Sequence, residues 1–283
     1  MKKNKTILIT GCSSGIGICV ARGLKERGYR VFPSARKPED VKILQEDGFE
    51  DALLLDLDDS QSIKFAVDTL LKKTNGELYA LFNNGAYGQA GAVEDLSRET
   101  LRANFETNLF GTHELTSLLI PTMRKQGYGR IIQNSSVLGL ICLPYRGAYN
   151  ASKFALEGLT DTLRMELKKT GIKVSLIEPG PITSKFRANA FAAYQRNIDK
   201  ANSYHRNIYD AMERRLTKKG PAAPFTLGPE AVLEKVIHAL ESDKPKIRYY
   251  VTFPTYLFAT LKRFLPHNWL EKILLKVSSG EQK

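Results

Sequence analysis

A glycine-rich loop lies between a short apolar strand and an amphipathic helix at the start of this chain of 283 residues. The strand is predicted over residues 5–10, and Gly11, Gly15 and Gly17 follow it directly. In this arrangement Gly11 permits a tight turn, Gly15 lets the backbone approach a pyrophosphate, and Gly17 allows close packing of the helix on the strand. The N-terminus of the helix then offers free N–H groups and a favourable dipole to phosphates. The pattern predicts a dinucleotide-binding site.

Strands and helices alternate along the rest of the chain. Further strands are predicted over residues 29–35, 52–56, 78–84, 130–134 and 172–178. Helices are predicted over residues 38–48, 60–74 with Ser60 as the N-cap, 97–126, and through Tyr149 to about residue 169. Strands separated by helices predict a doubly wound parallel sheet of the α/β class, in which ligands bind at the carboxyl ends of the strands. The candidate residues there are Gly11, Arg36, Asp56, Asn84, Ser136 and Pro179.

The end of the second strand predicts which dinucleotide binds. Folds that prefer NAD place a carboxylate at this position to bind the ribose 2′-hydroxyl. Here Ala35 is followed by Arg36 and Lys37. A guanidinium grips a 2′-phosphate with two hydrogen bonds, whereas a carboxylate repels it. The sequence therefore favours NADP(H), although a basic pair on the surface remains an alternative.

Tyr149 and Lys153 are four residues apart with no helix breaker between them. This spacing places both side chains on one helical face. A phenol has a pKa of about 10, and a neighbouring ammonium is expected to bring that pKa nearer to neutrality. Ser136 lies at the end of the strand over residues 130–134, where its hydroxyl could hold the oxygen of a carbonyl or an alcohol. The three side chains together suit carbonyl–alcohol chemistry, whereas a Tyr-x-x-x-Lys pair alone is common by chance.

The joint pattern resembles the short-chain dehydrogenase/reductase family over about residues 5–252. The motifs are Thr10-Gly-x-x-x-Gly-x-Gly17, Asn83-Asn84, Asn108, Ser136, Tyr149-x-x-x-Lys153 and Pro179-Gly180. The resemblance implies a Rossmann-type seven-stranded sheet, with the last strand near residues 248–252, in one catalytic domain over residues 1–254. It also implies a helical substrate lid over residues 184–227. Residues 255–283 are predicted to form an amphipathic C-terminal extension. The chain looks closest to bacterial NADP-dependent aldehyde reductases, and retinol and hydroxysteroid dehydrogenases are near relatives.

The resemblance also implies a role for each matching residue. Tyr149 corresponds to the catalytic acid or base, Ser136 to the group that binds the substrate oxygen, Lys153 to the group that tunes Tyr149, and Asn108 to the support of a proton path to the lysine. The implied cofactor-binding residues are Gly11, Ser13, Ser14, Gly15, Ile16, Gly17, Arg36, Asp56, Leu57, Asn84, Tyr149, Lys153, Pro179, Ile182 and Thr183. One departure is that Gly85-Ala86 follows Asn84, where the family usually has Ala-Gly.

We therefore expect an NADPH-dependent oxidoreductase that reduces an apolar aldehyde or ketone. Two alternatives stay open: a dehydrogenase of retinoid, hydroxysteroid or hydroxyacyl alcohols, and an NADP-binding sensor without turnover. The chain has three cysteines without CxxC spacing and four scattered histidines, so neither disulfides nor a metal site is predicted. The cysteine usage and the lack of a signal peptide favour the cytoplasm. A homo-oligomer is expected by analogy. The net charge is +12, but no recognition motif accompanies it, so nucleic-acid binding is not expected.

Two apolar stripes at helical spacing occur at the C-terminus. The first contains Tyr256, Leu257, Phe258, Leu261, Phe264 and Leu265, and the second Trp269, Leu270, Ile273, Leu274 and Val277. Lysines and arginines lie beside both stripes, and neither is long enough to span a bilayer. The stripes could pack on the domain or on a second subunit, or they could lie on the inner membrane surface. In the lid segment a similar spacing (Phe186, Phe191, Tyr194, Ile198, Ala201, Tyr204, Ile208 and Met212) predicts packing against the sheet, with some residues lining an apolar pocket.

Overall fold

The computed structural model describes residues 5–281 and contains one seven-stranded parallel sheet. The strands are β1 (Thr6–Ile9), β2 (Arg30–Ala35), β3 (Leu53–Leu54), β4 (Ala80–Asn83), β5 (Gly129–Asn134), β6 (Ile172–Glu178) and β7 (Arg248–Tyr250). Their order across the sheet is β3-β2-β1-β4-β5-β6-β7. The order reverses between β1 and β4, and a crevice for a ligand opens at such a reversal. The predicted α/β fold is confirmed.

Helices connect the strands and extend beyond the last one. They are α1 (Gly15–Glu26), α2 (Pro38–Glu46), α3 (Ser60–Lys73), α4 (Arg98–Phe105), α5 (Thr112–Gln126), α6 (Gly147–Glu166), α7 (Phe186–Asn197), α8 (Arg206–Thr217), α9 (Glu230–Glu241), α10 (Phe253–Phe264) and α11 (His267–Glu281). A π-helical turn, Glu106–Gly111, joins α4 to α5, so the helical region predicted over residues 97–126 is continuous.

Helices cover both faces of the sheet, and the residues of β1 show how. Ile7 and Ile9 pack in one apolar core with Val20 of α1 and Val236 of α9. Leu8, between them, points to the other face, where side chains from α3 and α5 form a second core. Successive strand residues point to opposite faces, so a strand buried on both sides is a continuous apolar run. This two-sided burial fixes the sheet and therefore the edge where the strands end.

Three local predictions differ from the structure. Asp59, rather than Ser60, is the N-cap of α3, because its carboxylate accepts a hydrogen bond from the backbone N–H of Gln61 (2.8 Å). Only Leu53 and Leu54 pair with β2 within the strand predicted over residues 52–56. The helix that contains Tyr149 ends at Glu166, three residues earlier than predicted.

The lid segment forms two helices, α7 and α8, whose apolar residues pack on each other and on the loop after β4. Tyr194 of α7 and Met212 of α8 contact Ala90 and Ala92 of that loop in this cluster. The predicted packing of these residues against the sheet is wrong, because this cluster contains residues of the loop and none of a strand. Tyr204, which belonged to the predicted stripe, is 92% exposed in the turn before α8.

The C-terminal helices divide their apolar residues between two sides. Phe258 and Leu261 of α10 and Ile273 and Leu274 of α11 pack in a cluster with Leu138, Ile141 and Tyr149. Other apolar residues of the predicted stripes remain exposed, namely Tyr256, Leu257, Phe264, Trp269 and Val277. None of the helices in residues 5–281 has the length and apolar character needed to cross a membrane.

Candidate active site

A cavity of about 800 Å³ opens at the carboxyl ends of the strands. It extends from the glycine-rich loop, past the end of β5, to the C-terminal helices. Twelve of the predicted site residues line it: Gly11, Ser13, Ser14, Gly15, Ile16, Asn84, Ser136, Tyr149, Lys153, Pro179, Ile182 and Thr183. The rule that ligands bind at strand ends therefore located the cavity correctly.

The glycine-rich loop packs too closely on its neighbours to accept side chains at two of its glycines. Gly11 has a φ of +70°, and a Cβ there would lie 2.8 Å from the Cα of Gly85. A Cβ on Gly17 would lie 2.3 Å from the carbonyl oxygen of Gly11. Glycine is therefore required at position 17 because α1 packs closely on the loop, and not on a strand as predicted. Ser14 is the N-cap of α1, and its side chain makes no capping hydrogen bond among the described residues. The first N–H groups of α1 are thus left for an anionic ligand, as a pyrophosphate would need.

Asn84 joins three strand ends rather than projecting freely into the cavity. Its side-chain amide donates to the carbonyl oxygens of Thr10 (3.0 Å) and Gly11 (3.2 Å), and its Oδ1 accepts from the amide of Asn134 (2.9 Å). The hydroxyl oxygen of Thr10 accepts from the backbone N–H groups of Asn84 (2.9 Å) and Gly85 (2.8 Å). These bonds fix the loop after β4 against the glycine-rich loop.

Tyr149, Lys153 and Ser136 meet at the centre of the cavity. The first two lie on one face of α6, as their spacing predicted, and Ser136 follows β5. The Ser136 hydroxyl is hydrogen-bonded to the Tyr149 phenol, and the ring of Phe186 packs against that phenol with centroids 5.2 Å apart. The Lys153 ammonium donates to the carbonyl oxygen of Asn134 (2.8 Å) and lies 5.7 Å from the centre of the Tyr149 ring.

Burial, rather than the neighbouring ammonium, dominates the acid–base properties of these groups. Desolvation raises the pKa of Tyr149 to about 12, and the hydrogen bond from Ser136 offsets only part of that rise. Desolvation also lowers the pKa of Lys153 to about 8, which the carboxylate of Glu157 opposes. The expectation that Lys153 brings the phenol pKa towards neutrality is wrong for this structure. The phenol holds its proton at neutral pH.

A buried ionic cluster lies one helical turn beyond Lys153. The guanidinium of Arg248 lies 2.9 Å from Glu157, 2.9 Å from Asp161 and 3.0 Å from Glu178. One guanidinium cannot neutralise three carboxylates, and Glu178 is fully buried, so burial first and then the charge of Glu157 raise the pKa of Glu178 to about 9. Bonding to Arg248 instead keeps the pKa of Asp161 below its usual range. The cluster therefore retains a proton on Glu178 and fixes α6 to β6 and β7.

Asn108 lies behind the cavity, in the π-helical turn. Its side-chain amide donates to the carbonyl oxygen of Tyr87 (2.9 Å) and to the hydroxyl of Ser152 (3.1 Å), and its Oδ1 accepts from the N–H of Tyr87 (3.0 Å). Ser152 is the residue before Lys153, so Asn108 supports the helix that bears the lysine. Within the described residues, no hydrogen bond joins Asn108 to the ammonium itself.

Arg36, Asp56 and Leu57 lie at the same sheet edge but outside the lining of the cavity. Arg36 is exposed directly after β2, the neighbour of β1. The backbone N–H of Cys12 donates to the carbonyl oxygen of Ser34 (2.8 Å), which holds the glycine-rich loop against the end of β2. The Asp56 carboxylate accepts from the N–H of Asp58 (3.1 Å) and shapes the turn after β3. The part of Arg36, Asp56 and Leu57 in binding a cofactor stays a prediction.

The loop after β6 closes the opposite side of the cavity. The N–H of Thr183 donates to the carbonyl oxygen of Leu227 (2.9 Å), and the N–H of Leu227 donates to the carbonyl oxygen of Pro181 (3.2 Å). Ile182 and Leu227 form a bridge like that of two parallel strands. Pro179, Ile182 and Thr183 are therefore held by the far end of the lid segment.

Several residues that shape the site were not identified from the sequence. The carbonyl oxygen of Asn134 accepts the hydrogen bond from the Lys153 ammonium. Asn134 is the last residue of β5, and this position at a strand end could have identified it from the sequence. Glu157 lies four residues after Lys153, so the helical spacing that linked Tyr149 to Lys153 could also have predicted it. Phe253, Leu257 and Val277 of the C-terminal helices line the cavity, but their place there depends on tertiary packing.

The fold and this site define an oxidoreductase built on a dinucleotide-binding domain. Residues 5–195 match the family described as short chain dehydrogenase, and the chain belongs to that family. Its members use a nicotinamide cofactor and act on carbonyl or alcohol groups.

Similar proteins cover almost the whole chain. The uncharacterised oxidoreductase YbbO of Escherichia coli K12 is 47% identical over 270 residues, which covers 95% of this chain and 94% of YbbO. Human 17-beta-hydroxysteroid dehydrogenase type 1 is 31% identical, covering 92% of this chain and 78% of that protein. The crystal structure of a short-chain dehydrogenase from Streptomyces avermitilis superposes with a TM-score of 0.76 at 28% identity, covering 99% of each chain. The expected closeness to aldehyde reductases stays a prediction.

Proposed function

We propose that this protein reduces the carbonyl group of an apolar aldehyde or ketone with NADPH. The observation that supports this function most directly is the protonated phenol of Tyr149 beside Ser136, buried in an apolar cavity. A phenol whose pKa is about 12 is a proton donor at neutral pH, and reduction of a carbonyl requires a proton for the new hydroxyl oxygen.

The residues around the cavity fit a nicotinamide dinucleotide. Gly11, Ser13, Ser14, Gly15 and Ile16 line the cavity where a pyrophosphate would lie, and the uncapped start of α1 offers it free N–H groups. Pro179, Ile182 and Thr183 would hold the nicotinamide half, because they line the cavity beyond Tyr149. When bound, the cofactor supplies the hydride for the carbonyl carbon.

The chain's own residues then hold the oxygen and move the proton. Ser136 donates a hydrogen bond to the substrate oxygen, and Tyr149 transfers its phenolic proton to that oxygen as negative charge develops there. The carbonyl of Asn134 keeps the Lys153 ammonium near the ring, and its attraction to the phenolate that remains offsets only part of the cost of burying that charge. Asn108 acts as a positioning residue through its hydrogen bond to Ser152.

The substrate class follows from the lining of the cavity near Tyr149. Leu138, Ile141, Phe186 and Phe258 form an apolar cluster with this tyrosine. An alkyl chain in such surroundings gains about 0.8 kcal/mol for each buried methylene, which is a factor of up to about four in kcat/KM. We expect kcat/KM to rise with chain length across a series of linear aldehydes.

This expectation is tested by measuring NADPH oxidation with linear aldehydes, a ketosteroid, retinal and a short polyhydroxylated aldehyde. Turnover of the apolar carbonyls with little turnover of the polyhydroxylated one would support the proposed function. Equal kcat/KM for the polar and the apolar aldehydes would contradict the apolar substrate class. Faster oxidation of the matching alcohols with NADP⁺ would favour a dehydrogenase, and binding of NADPH without any turnover would favour the sensor.

We predict that Arg36→Leu weakens NADPH binding selectively. If Arg36 grips the 2′-phosphate with charge-assisted hydrogen bonds, its loss costs about 2 kcal/mol, or about 30-fold in Kd. NADH lacks that phosphate, so its Kd should change little. Both constants are measured by titration, with Lys42→Leu on the exposed side of α2 as a control that removes a cation nearby. Equal losses for the two cofactors would show that Arg36 does not recognise the 2′-phosphate.

A further inference from the structure

Large apolar side chains remain exposed around the mouth of the cavity. Phe225, Phe253, Leu257 and Val277 all line the cavity, and each is more than one-third exposed to solvent. Phe225 adopts a φ of +58°, which is unfavourable for a residue with a side chain, and its ring packs on Phe253 with centroids 4.9 Å apart. The exposed rings are thus held against each other at the opening rather than turned inward.

The exposed surface continues along the C-terminal helices. Phe253, Tyr256, Leu257 and Phe264 recur at a spacing that places them on one face of α10, and Trp269 follows at the start of α11. Phe264 is 75% exposed and Trp269 is 65% exposed. We call the following residues the apolar rim: Phe225, Phe253, Tyr256, Leu257, Phe264, Trp269 and Val277.

The opposite face of α10 packs on the domain. The exposure of the rim therefore does not result from a helix that is poorly packed. Phe258 and Leu261 belong to the cluster around Tyr149. The ammonium of Lys262 donates to the carbonyl oxygen of Leu140 (2.5 Å) and lies 4.7 Å from the centre of the Phe154 ring. Packing on the domain therefore accounts for one face of the helix and leaves the rim unexplained.

Two segments with an excess of basic residues flank the rim. Residues 214–229 contain four Lys or Arg and no Asp or Glu, and residues 244–270 contain five and none, although Arg248 is bonded to the carboxylates of the ionic cluster described above. Arg214, Lys218, Lys219 and Arg263 are exposed. The guanidinium of Arg187, which lines the cavity, donates to the carbonyl oxygens of Arg215 (3.0 Å) and Lys218 (2.9 Å). These bonds hold the basic turn beside the cavity.

We propose that the apolar rim and its basic flank bind the surface of an anionic lipid bilayer. Exposed aromatic and aliphatic side chains insert at the boundary between head groups and acyl chains, and lysine and arginine side chains bind anionic head groups. The excess of basic over acidic side chains in both segments favours an anionic surface over a protein surface of mixed charge. Because four residues of the rim also line the cavity, an apolar ligand could pass between the bilayer and the cavity without crossing water. Binding to lipid does not depend on turnover, so this proposal can fail or hold independently of the proposed function.

Trp269 is the only tryptophan of the chain, so its fluorescence reports on the rim directly. The full chain is mixed at low ionic strength with vesicles of phosphatidylcholine alone or of phosphatidylcholine with phosphatidylglycerol. We expect a shift of the emission to shorter wavelength, quenching by brominated acyl chains and co-flotation with the anionic vesicles only. High salt should reverse all three effects. Absence of the shift and of flotation at low salt would overturn the proposal.

Two pairs of variants test whether vesicle binding depends on the rim and its basic flank rather than on exposed apolar or basic residues in general. Phe264→Ser should reduce partitioning into anionic vesicles at least tenfold, whereas Phe65→Ser, which removes a phenylalanine that is 71% exposed on α3, should leave it unchanged. Lys218→Glu with Lys219→Glu should also reduce it at least tenfold, whereas Lys168→Glu with Lys169→Glu, an equal charge change after α6, should not. Equal effects within either pair would overturn the proposal. An emission shift that depends on protein concentration without vesicles would show instead that a second copy covers the rim.

Discussion

Tyr149→Phe is expected to reduce kcat by a factor of about 10² to 10⁴ while leaving the Kd for NADPH within a few-fold of the wild-type value. The substitution removes one oxygen from a buried phenol and leaves the ring, which packs against Phe186, in place. If the phenol is the proton donor, its loss removes general-acid catalysis, a contribution of about 10² to 10⁴ in rate, and one hydrogen bond to Ser136. Steady-state turnover of the best carbonyl substrate and a fluorescence titration with NADPH measure the two quantities.

The matched control is Tyr204→Phe, which removes the hydroxyl of a phenol that is 92% exposed. This variant should match the wild type in kcat and in thermal stability, since its hydroxyl is in water before and after the change. Thermal unfolding of Tyr149→Phe shows whether the protein is still folded, because loss of the Ser136 bond should cost only about 1 kcal/mol. If the Tyr149→Phe variant kept a tenth of wild-type activity, another group would have to supply the proton.

The parts of the site that follow from short-range spacing could be predicted from the sequence. Tyr149 and Lys153 share a helical face because four residues make about one turn, whatever the rest of the protein does. Ser136 and Asn84 were placed correctly because each follows an apolar run, and parallel strands end at one edge of a sheet. The seven-stranded sheet followed from the alternation of strands and helices together with the family resemblance.

The acid–base properties could not be predicted, because they depend on burial by distant segments. The enclosure of Tyr149 comes from Leu138 in the next loop, Phe186 in the lid and Phe258 near the C-terminus. A sequence shows that a lysine is near the phenol, but not that both side chains are buried. In an exposed pair the ammonium would lower the phenol pKa, whereas in this buried pair desolvation prevails.

The arrangement of the lid was missed for a related reason. Its helical spacing correctly indicated an apolar face, but a periodic pattern does not identify the surface that this face covers. Here the partner is the loop after β4, in which Ala90 and Ala92 leave room for the rings of Tyr194 and Tyr209. The bond from the Tyr209 hydroxyl to Asp95 adds a polar contact between the same two segments. Tyr209 and Asp95 are far apart in the sequence, so the contact between them could not be predicted from their positions.

Gly111→Ala is expected to destabilise the protein by about 4 kcal/mol or more, or to prevent folding. Gly111 ends the π-helical turn, and a Cβ there would lie 1.8 Å from the carbonyl oxygen of Leu57 and 2.7 Å from its carbon. Both atoms belong to the backbone, so no side-chain rotation relieves the overlap, and either α5 or the loop after β3 must move. Such a shift would also displace Asn108, whose bonds to Tyr87 and Ser152 depend on this turn. Overlap of this kind is among the few causes of very large single-residue effects.

The urea concentration at the midpoint of unfolding measures this effect, with Gly158→Ala as the control. Gly158 is exposed in the interior of α6, and a Cβ there meets no atom within 4 Å. Alanine is favoured over glycine within a helix by about 1 kcal/mol, so Gly158→Ala should be as stable as the wild type or slightly more stable. The same substitution is thus expected to have opposite effects at two helical positions, because only Gly111 contacts backbone atoms of another segment. An unchanged midpoint for Gly111→Ala would show that the turn and Leu57 do not approach so closely in solution.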